Sequence, residues 1–315
     1  MNPNAILFNM LDRGSMRIAG GKGASLGKLM QENIPMPNGF VILTTAFERF
    51  LEFAGLKEEI TASICNINCN DLQQLEMISN NICADISNCE LPADLTEDIL
   101  KTFSKLNAQY VAVRSSAKSE DSLMASWAGE MESYLNTTED VLLENIKKCW
   151  ASRFNPRTIY YCYEKKLNLK DISIAVVIQK MVQSEISGVC FTANPLTRDR
   201  SQMVIEAGYG LGKAVVEGLI TPDTYLIDKK NWTILDKNIN HQKVMLINDP
   251  NNGTIEKQVT RSEQAKQKLS DSVIINLSKL CSKVEKIYNK PQDIEWAYEK
   301  GCFNILQSRP VTVFS

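Results

Sequence analysis

The stretch PQDIEWAYEKGCFNILQSRPVT, residues 291–312, holds two runs of alternating polar and apolar residues on either side of Gly301. Alternation with a period of two is typical of β-strands, and a glycine between two such runs favours a hairpin. Four polar side chains stand inside these runs: Asp293, Glu295, Gln307 and Arg309. Because successive side chains of a strand point to opposite faces, the first two share a face of one strand and the last two share a face of the other.

The length of the turn determines whether these four side chains meet. A loop with an odd number of residues, centred near Lys300, would pair residue 293 with residue 307 and place all four on one face. A two-residue loop would oppose odd with even positions and divide them between the two faces. A shared face would present carboxylate and amide oxygens, which suit Mg²⁺, beside a guanidinium that suits a phosphate. The alternative is an edge hairpin with a solvated polar face.

The composition is that of a globular protein and excludes several classes of function. The chain has 315 residues, 44% of them hydrophobic and 23% charged, which is enough for one large domain or two lobes. Its formal net charge of -2, without a long run of either sign, argues against a nucleic-acid or anionic-membrane partner. No stretch predicts a signal peptide or a membrane span, so we expect a cytosolic protein.

The histidine and cysteine content narrows the chemistry further. The single histidine, His241, has no nucleophile motif beside it, which disfavours a serine or cysteine hydrolase and excludes histidine-rich metal sites. The nine cysteines are an odd number without a CxxC pair, which predicts reduced thiols.

Periodicity predicts the remaining elements. Residues 57–107 and 139–167 are helical in pattern. Three apolar runs separated by turn residues indicate an antiparallel sheet: 172–182, 187–193 and 201–207. Behind Ser270, apolar residues at 274, 277, 280, 284 and 287 have the spacing of an amphipathic helix that packs on a sheet.

Two stretches have features of an anion site. In GGKGASLGKL, residues 20–29, glycines precede a predicted helix, so that backbone amides can approach a phosphate and Lys22 can neutralise it. Arg114 leaves the end of an apolar strand and enters a loop of small residues. A second glycine-rich run, residues 206–218, misses the dinucleotide-binding pattern because Lys213 stands at the position of the last glycine.

Six motifs, in their order along the chain, resemble the nucleotide-binding portion of the phosphoenolpyruvate synthase and pyruvate phosphate dikinase family, which includes the rifampin phosphotransferases. They are GGKGASLGKL, VAVRSSAKSED, AGEMESYLN, QKMV followed by SGVCFTANP, GYGLGKAVVEGLITPD and the 291–312 stretch. The resemblance covers essentially the whole chain, and six ordered motifs are far more specific than any one of them.

The resemblance implies an α+β protein of the ATP-grasp fold, in which two lobes of largely antiparallel sheet with flanking helices sandwich ATP. It implies a first lobe at residues 1–182, which includes the helical stretch 57–107. The second lobe is expected at residues 183–315 and would end in the 291–312 hairpin as a clamp for metal and phosphate.

The resemblance also implies roles for residues of the first lobe. Lys22 and Arg114 would contact the phosphates of ATP, beneath a covering loop of residues 116–129. Gln179 and Met181 would lie at the adenine.

In the second lobe, the resemblance assigns Glu295 and Gln307 to Mg²⁺ and Arg309 to the terminal phosphates. The catalytic residues would be the cations of both lobes: Lys22, Arg114 and Arg309. Three positions depart from the family pattern. Glu130 stands where relatives often have glutamine, Asn194 where many have aspartate, and Lys213 where many have glutamate, which reverses a charge.

Full-length relatives transfer the β-phosphoryl group of ATP to a histidine on a separate domain, release AMP and phosphate, and pass the phosphoryl group to an acceptor. The expected partners are therefore ATP, a histidine-bearing phosphocarrier domain in cis or in trans, and a small-molecule acceptor. Neither a histidine domain nor an acceptor domain is recognisable in these residues, and His241 lacks the surroundings of the carrier motif.

Two other functions remain open at this point. A stand-alone ATP-grasp kinase or ligase would phosphorylate a small acceptor directly and release ADP. A nucleotide-sensing module would bind ATP without catalysis and signal by closure of its lobes.

Overall fold

A computed structural model describes residues 3–12, 14–69, 71–117, 132–164, 174–250 and 253–314. The chain divides into two compact units, residues 1–27 with 38–181 and residues 28–37 with 182–315. Helices and antiparallel sheets occur in both units, which confirms the α+β class. The division expected from the sequence kept residues 28–37 with the first unit. In the structure Leu29 and Ile34 lie in the hydrophobic core of the second.

The first unit is built on a five-stranded sheet with the order β1-β2-β5-β3-β4, in which every neighbouring pair is antiparallel. Its strands are β1 (Ala5–Leu7), β2 (Gly39–Ile42), β3 (Val111–Ala117), β4 (Ser133–Thr137) and β5 (Ile174–Lys180). The helices that begin in this unit are α1 (Gly20–Gln31), α2 (Thr44–Phe53), α3 (Leu56–Cys65), α4 (Leu72–Asn88), α5 (Ala93–Ser104), α6 (Glu139–Ala151) and α7 (Pro156–Glu164).

The hydrophobic core of the first unit lies on one face of this sheet. The strand residues that project into it are Phe40, Ile42, Val111, Val113, Ile174, Val176 and Ile178. They pack against buried residues of α2, α4, α5 and α6, where the rings of Trp150 and Phe50 stack with centroids 5.2 Å apart. Because side chains alternate along a strand, the intervening residues of β3 and β5 face the opposite side of the sheet, and these include Arg114 and Gln179.

The two helical stretches predicted in the first unit are confirmed, but the second one is interrupted. Residues 139–164 form α6 and α7 rather than one helix. The break lies at Asn155 and Pro156, where the Asn155 side chain accepts a hydrogen bond from the backbone N of Thr158 at 2.7 Å. An asparagine cap followed by proline at the first helical position is a strong signal for a new helix.

The second unit contains a six-stranded antiparallel sheet with the order β13-β12-β6-β7-β8-β9, and a separate hairpin of β10 and β11. The strands are β6 (Ile186–Phe191), β7 (Gln202–Tyr209), β8 (Asp223–Asp228), β9 (Thr233–Asn238), β10 (Val244–Asp249), β11 (Gly253–Gln258), β12 (Gln292–Glu299) and β13 (Cys302–Pro310). The helices are α8 (Lys213–Val216) and α9 (Asp271–Tyr288). The antiparallel pairing of β6 with β7 is confirmed. The expectation that the 172–182 run belongs to the same sheet is wrong, since β5 pairs with β2 and β3.

Helix α9 covers one face of the second sheet, as its periodicity predicts. Ile274, Leu277 and Val284 are fully buried, and Leu280 and Ile287 pack at the edge of the same core. Alternate residues of β6, β7 and β12 meet this helix, among them Cys190, Ile205, Ile294 and Trp296. Asp293 and Glu295 alternate with the core residues of β12 and therefore face the other side of the sheet. In the described part of the chain, no helix is long and apolar enough to cross a membrane.

All nine cysteines are free thiols, and their burial predicts how fast each reacts. Cys65 and Cys302 are exposed, whereas five others are fully buried. Burial also raises the pKa of thiols, to about 11 in Cys162, which lowers the fraction of reactive thiolate. We expect Ellman's reagent to titrate Cys65 and Cys302 in the fast phase and the buried thiols only after denaturation. Fast labelling of the buried thiols in the native protein would contradict the packing described above.

Candidate functional site

Three candidate residues of the first unit lie close together around strand β3. Arg114 on β3 is 9% exposed and Gln179 on β5 is 2% exposed. Arg114 Nη1 donates a hydrogen bond to Gln179 Oε1 at 3.4 Å. Lys22 Nζ donates to the backbone O of Ser115 at 3.0 Å. The structure thus brings together the two cations that the sequence assigns to this unit.

Glycines allow α1 to approach this face of the first sheet closely. Gly20 has a φ of 71°, and a Cβ atom there would lie 2.3 Å from the backbone O of Ser116. The backbone N of Gly23 donates to Ser116 Oγ at 3.2 Å, and a Cβ atom at Gly23 would lie 3.0 Å from Val41. Close packing is therefore sufficient reason for glycine at both positions. The close approach of α1 also places Lys22, on the first turn of this helix, beside β3.

Met181 follows the last residue of β5. Its backbone N donates to the backbone O of Tyr110 at 3.0 Å, and its side chain is half-buried. Most of the covering loop, residues 118–129, and Glu130 lie outside the described residues.

In the second unit, the turn of the C-terminal hairpin has two residues. Glu299 pairs with Cys302, so the loop consists of Lys300 and Gly301 alone. Both have positive φ, 50° and 80°, which is the conformation of a tight two-residue hairpin turn. Of the two turn lengths considered, the two-residue loop is therefore the one present, and residue 293 does not pair with residue 307.

A two-residue turn alone would divide the four polar side chains between the two faces, but a β-bulge between the turn and these residues brings them back to one face. Trp296 pairs with Ile305, but the next pair is Glu295 with Gln307, which makes Leu306 an additional residue on β13. Beyond the bulge, odd positions oppose odd positions, and Asp293 pairs with Arg309. The prediction that the four polar side chains share one face is therefore confirmed, although their register differs. This shared face of β12 and β13 is called the polar face below.

An ion pair orders one end of the polar face. Arg309 Nε donates to Asp293 Oδ2 at 2.8 Å, and the two side chains are 42% and 12% exposed. Burial raises the pKa of Asp293, and the charge and hydrogen bond of Arg309 counteract that rise. The carboxylate thus fixes the guanidinium of Arg309 in one orientation.

The other end of the polar face fits a magnesium ion. Glu295 and Gln307 are direct cross-strand partners, so a carboxylate and an amide stand side by side. Within the described ranges, no three or more Asp, Glu, His or Cys side chains converge as a metal site. Mg²⁺ in nucleotide sites is held in this way, by one or two protein oxygens, with phosphates and water as the remaining ligands.

Sequence reasoning missed one carboxylate on this side of the sheet. Glu206 on β7 pairs with Val189 on β6, which in turn pairs with Glu295, so the three side chains lie in one row. The pKa of Glu206 is raised by burial and by the negative charge of Asp293. The alternation around it could have revealed it, because Ile205 and Ala207 face the core.

The raised pKa of Glu206 predicts a pH-dependent effect on stability. The folded protein binds this proton more tightly than the unfolded chain does, so the carboxyl favours folding below its ordinary value of 4.5 and destabilises as pH rises above it. We expect Glu206→Gln to raise the melting temperature near pH 7 and to have little effect near pH 4. Scanning calorimetry at both pH values measures this, and an equal gain at both would contradict the assignment.

The glycine-rich run that precedes α8 is a packed turn. Ser184 Oγ and Ser187 Oγ both donate to the backbone O of Gly210, at 2.9 and 2.6 Å. Lys213 lies 3.7 Å from Glu217 in a half-exposed ion pair one turn along the chain. The positive charge at position 213 is thus paired with the carboxylate of Glu217.

Asn194 and His241 were also singled out in this unit, and of these Asn194 has a local structural role. Asn194 Oδ1 accepts hydrogen bonds from the backbone N of Leu196 and of Thr197, at 3.1 and 3.2 Å. An aspartate would accept the same bonds, so asparagine preserves this turn. His241 is exposed in the segment before β10.

Comparison with known proteins places the chain in a family. A family profile described as "Pyruvate phosphate dikinase, AMP/ATP-binding domain" matches residues 16–315. The probable phosphoenolpyruvate synthases of Methanocaldococcus jannaschii and Archaeoglobus fulgidus are 39% and 41% identical over 302 and 308 residues. The rifampicin phosphotransferase of Bacillus subtilis is 33% identical over 305 residues.

These alignments cover 94%, 96% and 96% of this chain but only 25%, 41% and 35% of the three relatives, in the same order. The chain thus spans less than half the length of these curated relatives. Among solved structures, a D-alanine–D-alanine ligase from Bacillus anthracis superposes on 96% of this chain with 58% of its own residues. The two chains share 10% sequence identity and a TM-score of 0.34, which is too weak a similarity to identify a fold. Because the profile matches nearly every residue, the chain belongs to the pyruvate phosphate dikinase AMP/ATP-binding domain family.

Proposed function

We propose that this chain binds Mg-ATP and donates a phosphoryl group to a histidine carried by another domain or chain. The observation that carries the proposal is the polar face of β12 and β13, where a carboxylate–amide pair stands beside a carboxylate–guanidinium pair. Relatives named as phosphoenolpyruvate synthase and rifampicin phosphotransferase support the same reaction class. An ATP-grasp fold is part of this proposal.

The cations of both units are proposed to bind the phosphates. In the first unit, Lys22 contacts the β3 backbone at Ser115, next to Arg114, and both cations are proposed to bind the same polyphosphate. In the second unit, Asp293 orients Arg309 toward the terminal phosphates. Phosphoryl transfer requires little covalent chemistry from the protein, so catalysis would consist mainly of positioning and of offsetting negative charge.

Glu295 and Gln307 are the proposed ligands of Mg²⁺. When bound there, the ion would neutralise part of the negative charge of the phosphates. The chain's contribution is to hold one anionic and one neutral oxygen donor side by side, which the pairing of β12 with β13 achieves.

The adenine is proposed to lie near the end of β5. Met181 supplies half-buried apolar surface there. Gln179 stands two residues earlier and is nearly inaccessible to solvent, at 2% exposed.

The transfer itself is proposed to follow the family pattern. The nitrogen of the carrier histidine forms a bond to the β-phosphorus and loses its proton to solvent. AMP leaves with the oxygen that bridged the α- and β-phosphorus atoms, and water releases the γ-phosphoryl group as phosphate. The phosphohistidine then passes its phosphoryl group to a small-molecule acceptor that is bound elsewhere.

The nucleotide product tests this proposal. The chain should be incubated with Mg-ATP and a histidine-bearing domain taken from a relative, and the nucleotides separated by chromatography. We expect AMP, phosphate and a phosphorylated histidine domain, and no AMP when the carrier histidine is replaced by alanine. Formation of ADP on addition of a small acceptor would instead indicate a direct kinase or ligase. ATP binding without any turnover would indicate a nucleotide sensor.

A further inference from the structure

One side chain that contacts Arg114 is an amide, that of Gln179. Arg114 and Gln179 belong to adjacent antiparallel strands, and their pairing partners are Val177 and Ala112, respectively. The two side chains are therefore diagonal neighbours on one face, within reach of each other. The hydrogen bond from Arg114 Nη1 to Gln179 Oε1 joins two residues that are both more than nine-tenths buried, with exposed fractions of 9% and 2%.

The chemistry of this partner matters for the charge of Arg114. A buried guanidinium needs hydrogen-bond acceptors, and a carboxylate at position 179 would supply them while neutralising it. The amide oxygen of Gln179 orients the guanidinium without cancelling its positive charge.

We infer that Gln179 is a positioning residue for Arg114, and that it affects nucleotide binding through the phosphates rather than by contact with the adenine. The inference rests on the proposed function, in which Arg114 binds phosphate. It differs from the family-based expectation, which places Gln179 at the base. Because Gln179 is buried on the same face as Arg114, its amide oxygen is held where it accepts a hydrogen bond from the guanidinium.

A ligand without a base separates the two roles. Calorimetric titrations should compare Mg-ATP with magnesium tripolyphosphate, which keeps the three phosphates and lacks the adenosine. Gln179→Met keeps the length of the side chain and removes the hydrogen bond, and Gln179→Glu adds a charge. The matched control is Gln109→Met, an exposed glutamine of the same unit.

We expect Gln179→Met to weaken binding of both ligands by the same factor, about 5- to 10-fold. Gln179→Glu should weaken both more, by roughly 100-fold, because it places a negative charge beside the phosphates. In an Arg114→Ala background, Gln179→Met should have no further effect. Gln109→Met should bind both ligands as the wild type does.

Three outcomes would overturn the inference. Loss of ATP affinity with unchanged tripolyphosphate affinity in Gln179→Met would assign the residue to the adenine. Additive effects of Gln179→Met and Arg114→Ala would show that Gln179 does not act through Arg114. If the wild-type chain binds neither ligand, the proposed function fails and this inference fails with it. Circular dichroism of each variant shows whether the fold is retained.

Discussion

Arg309→Ala is expected to lower the rate of phosphoryl transfer from Mg-ATP to a histidine-bearing domain by roughly 10²- to 10³-fold. The side chain is 42% exposed, so its truncation removes little from the hydrophobic core and the fold should persist. What is lost is a cation that Asp293 holds in one orientation on the polar face. Glu295→Ala should have an effect of the same order, because it removes the anionic member of the proposed metal pair. Rates of AMP release measure both.

The turn of the same hairpin provides a matched control for Arg309. Lys300 is an exposed cation with a positive φ. Because its side chain is exposed, its replacement by alanine removes no buried contact. Lys300→Ala should transfer phosphoryl groups at the wild-type rate. Near-normal rates in both Arg309→Ala and Glu295→Ala would contradict the assignment of the polar face to ATP.

Asp223→Ala is expected to destabilise the second unit by about 3–5 kcal/mol. Asp223 and Lys268 form a 2.9 Å ion pair in which neither side chain is exposed to solvent, each at 0%. The carboxylate also accepts hydrogen bonds from Tyr225 Oη and from the backbone N of Asn240, at 2.8 and 2.9 Å. Its removal would leave a buried ammonium and several donors poorly satisfied. Urea-induced unfolding measures the loss.

An exposed ion pair of the same unit gives the control for this prediction. Lys237 pairs with Asp271 at 2.5 Å, but these side chains are 32% and 62% exposed. Solvent screens such a pair, so Asp271→Ala should lower the free energy of unfolding far less than Asp223→Ala does. Equal losses in Asp223→Ala and Asp271→Ala would show that burial does not govern the contribution of the first pair.

Elements whose faces differ in polarity were predictable from the sequence. The apolar spacing behind Ser270 predicts α9, because a helix that packs on a sheet must repeat its apolar residues every three to four positions. The alternation around Gly301 likewise predicts β12, β13 and the position of their turn. In both cases the pattern of a single element suffices.

The partners of a strand and its exact register were not predictable in the same way. The apolar run of β5 indicates a strand buried on both faces, but it does not say which sheet receives it. The bulge at Leu306 leaves no mark in the sequence, since an added leucine in CFNILQSRP fits an apolar strand in either register. Segment 28–37 was assigned by its place in the chain, whereas Leu29 and Ile34 pack according to the core they complete.

The residues of the candidate site likewise differ in how far the sequence alone could reveal them. Lys22 and Arg114 were singled out because they stand beside a glycine turn and at the end of an apolar strand, and Arg309 because it alternates with apolar residues of a predicted hairpin. Glu206 was overlooked because one carboxylate inside an apolar run is easily read as a solvated edge. Its place in the row with Glu295 depends on the pairing of three strands, which no single stretch specifies.

Calorimetric titration of the chain with Mg-ATP, carried out on the wild type and on Glu295→Ala, tests the central claim most directly. If the polar face of β12 and β13 binds the metal–phosphate group, the wild type will show saturable binding of one nucleotide per chain, and Glu295→Ala will bind far more weakly. Absence of saturable binding to the wild type, or equal affinity in the two proteins, would contradict it.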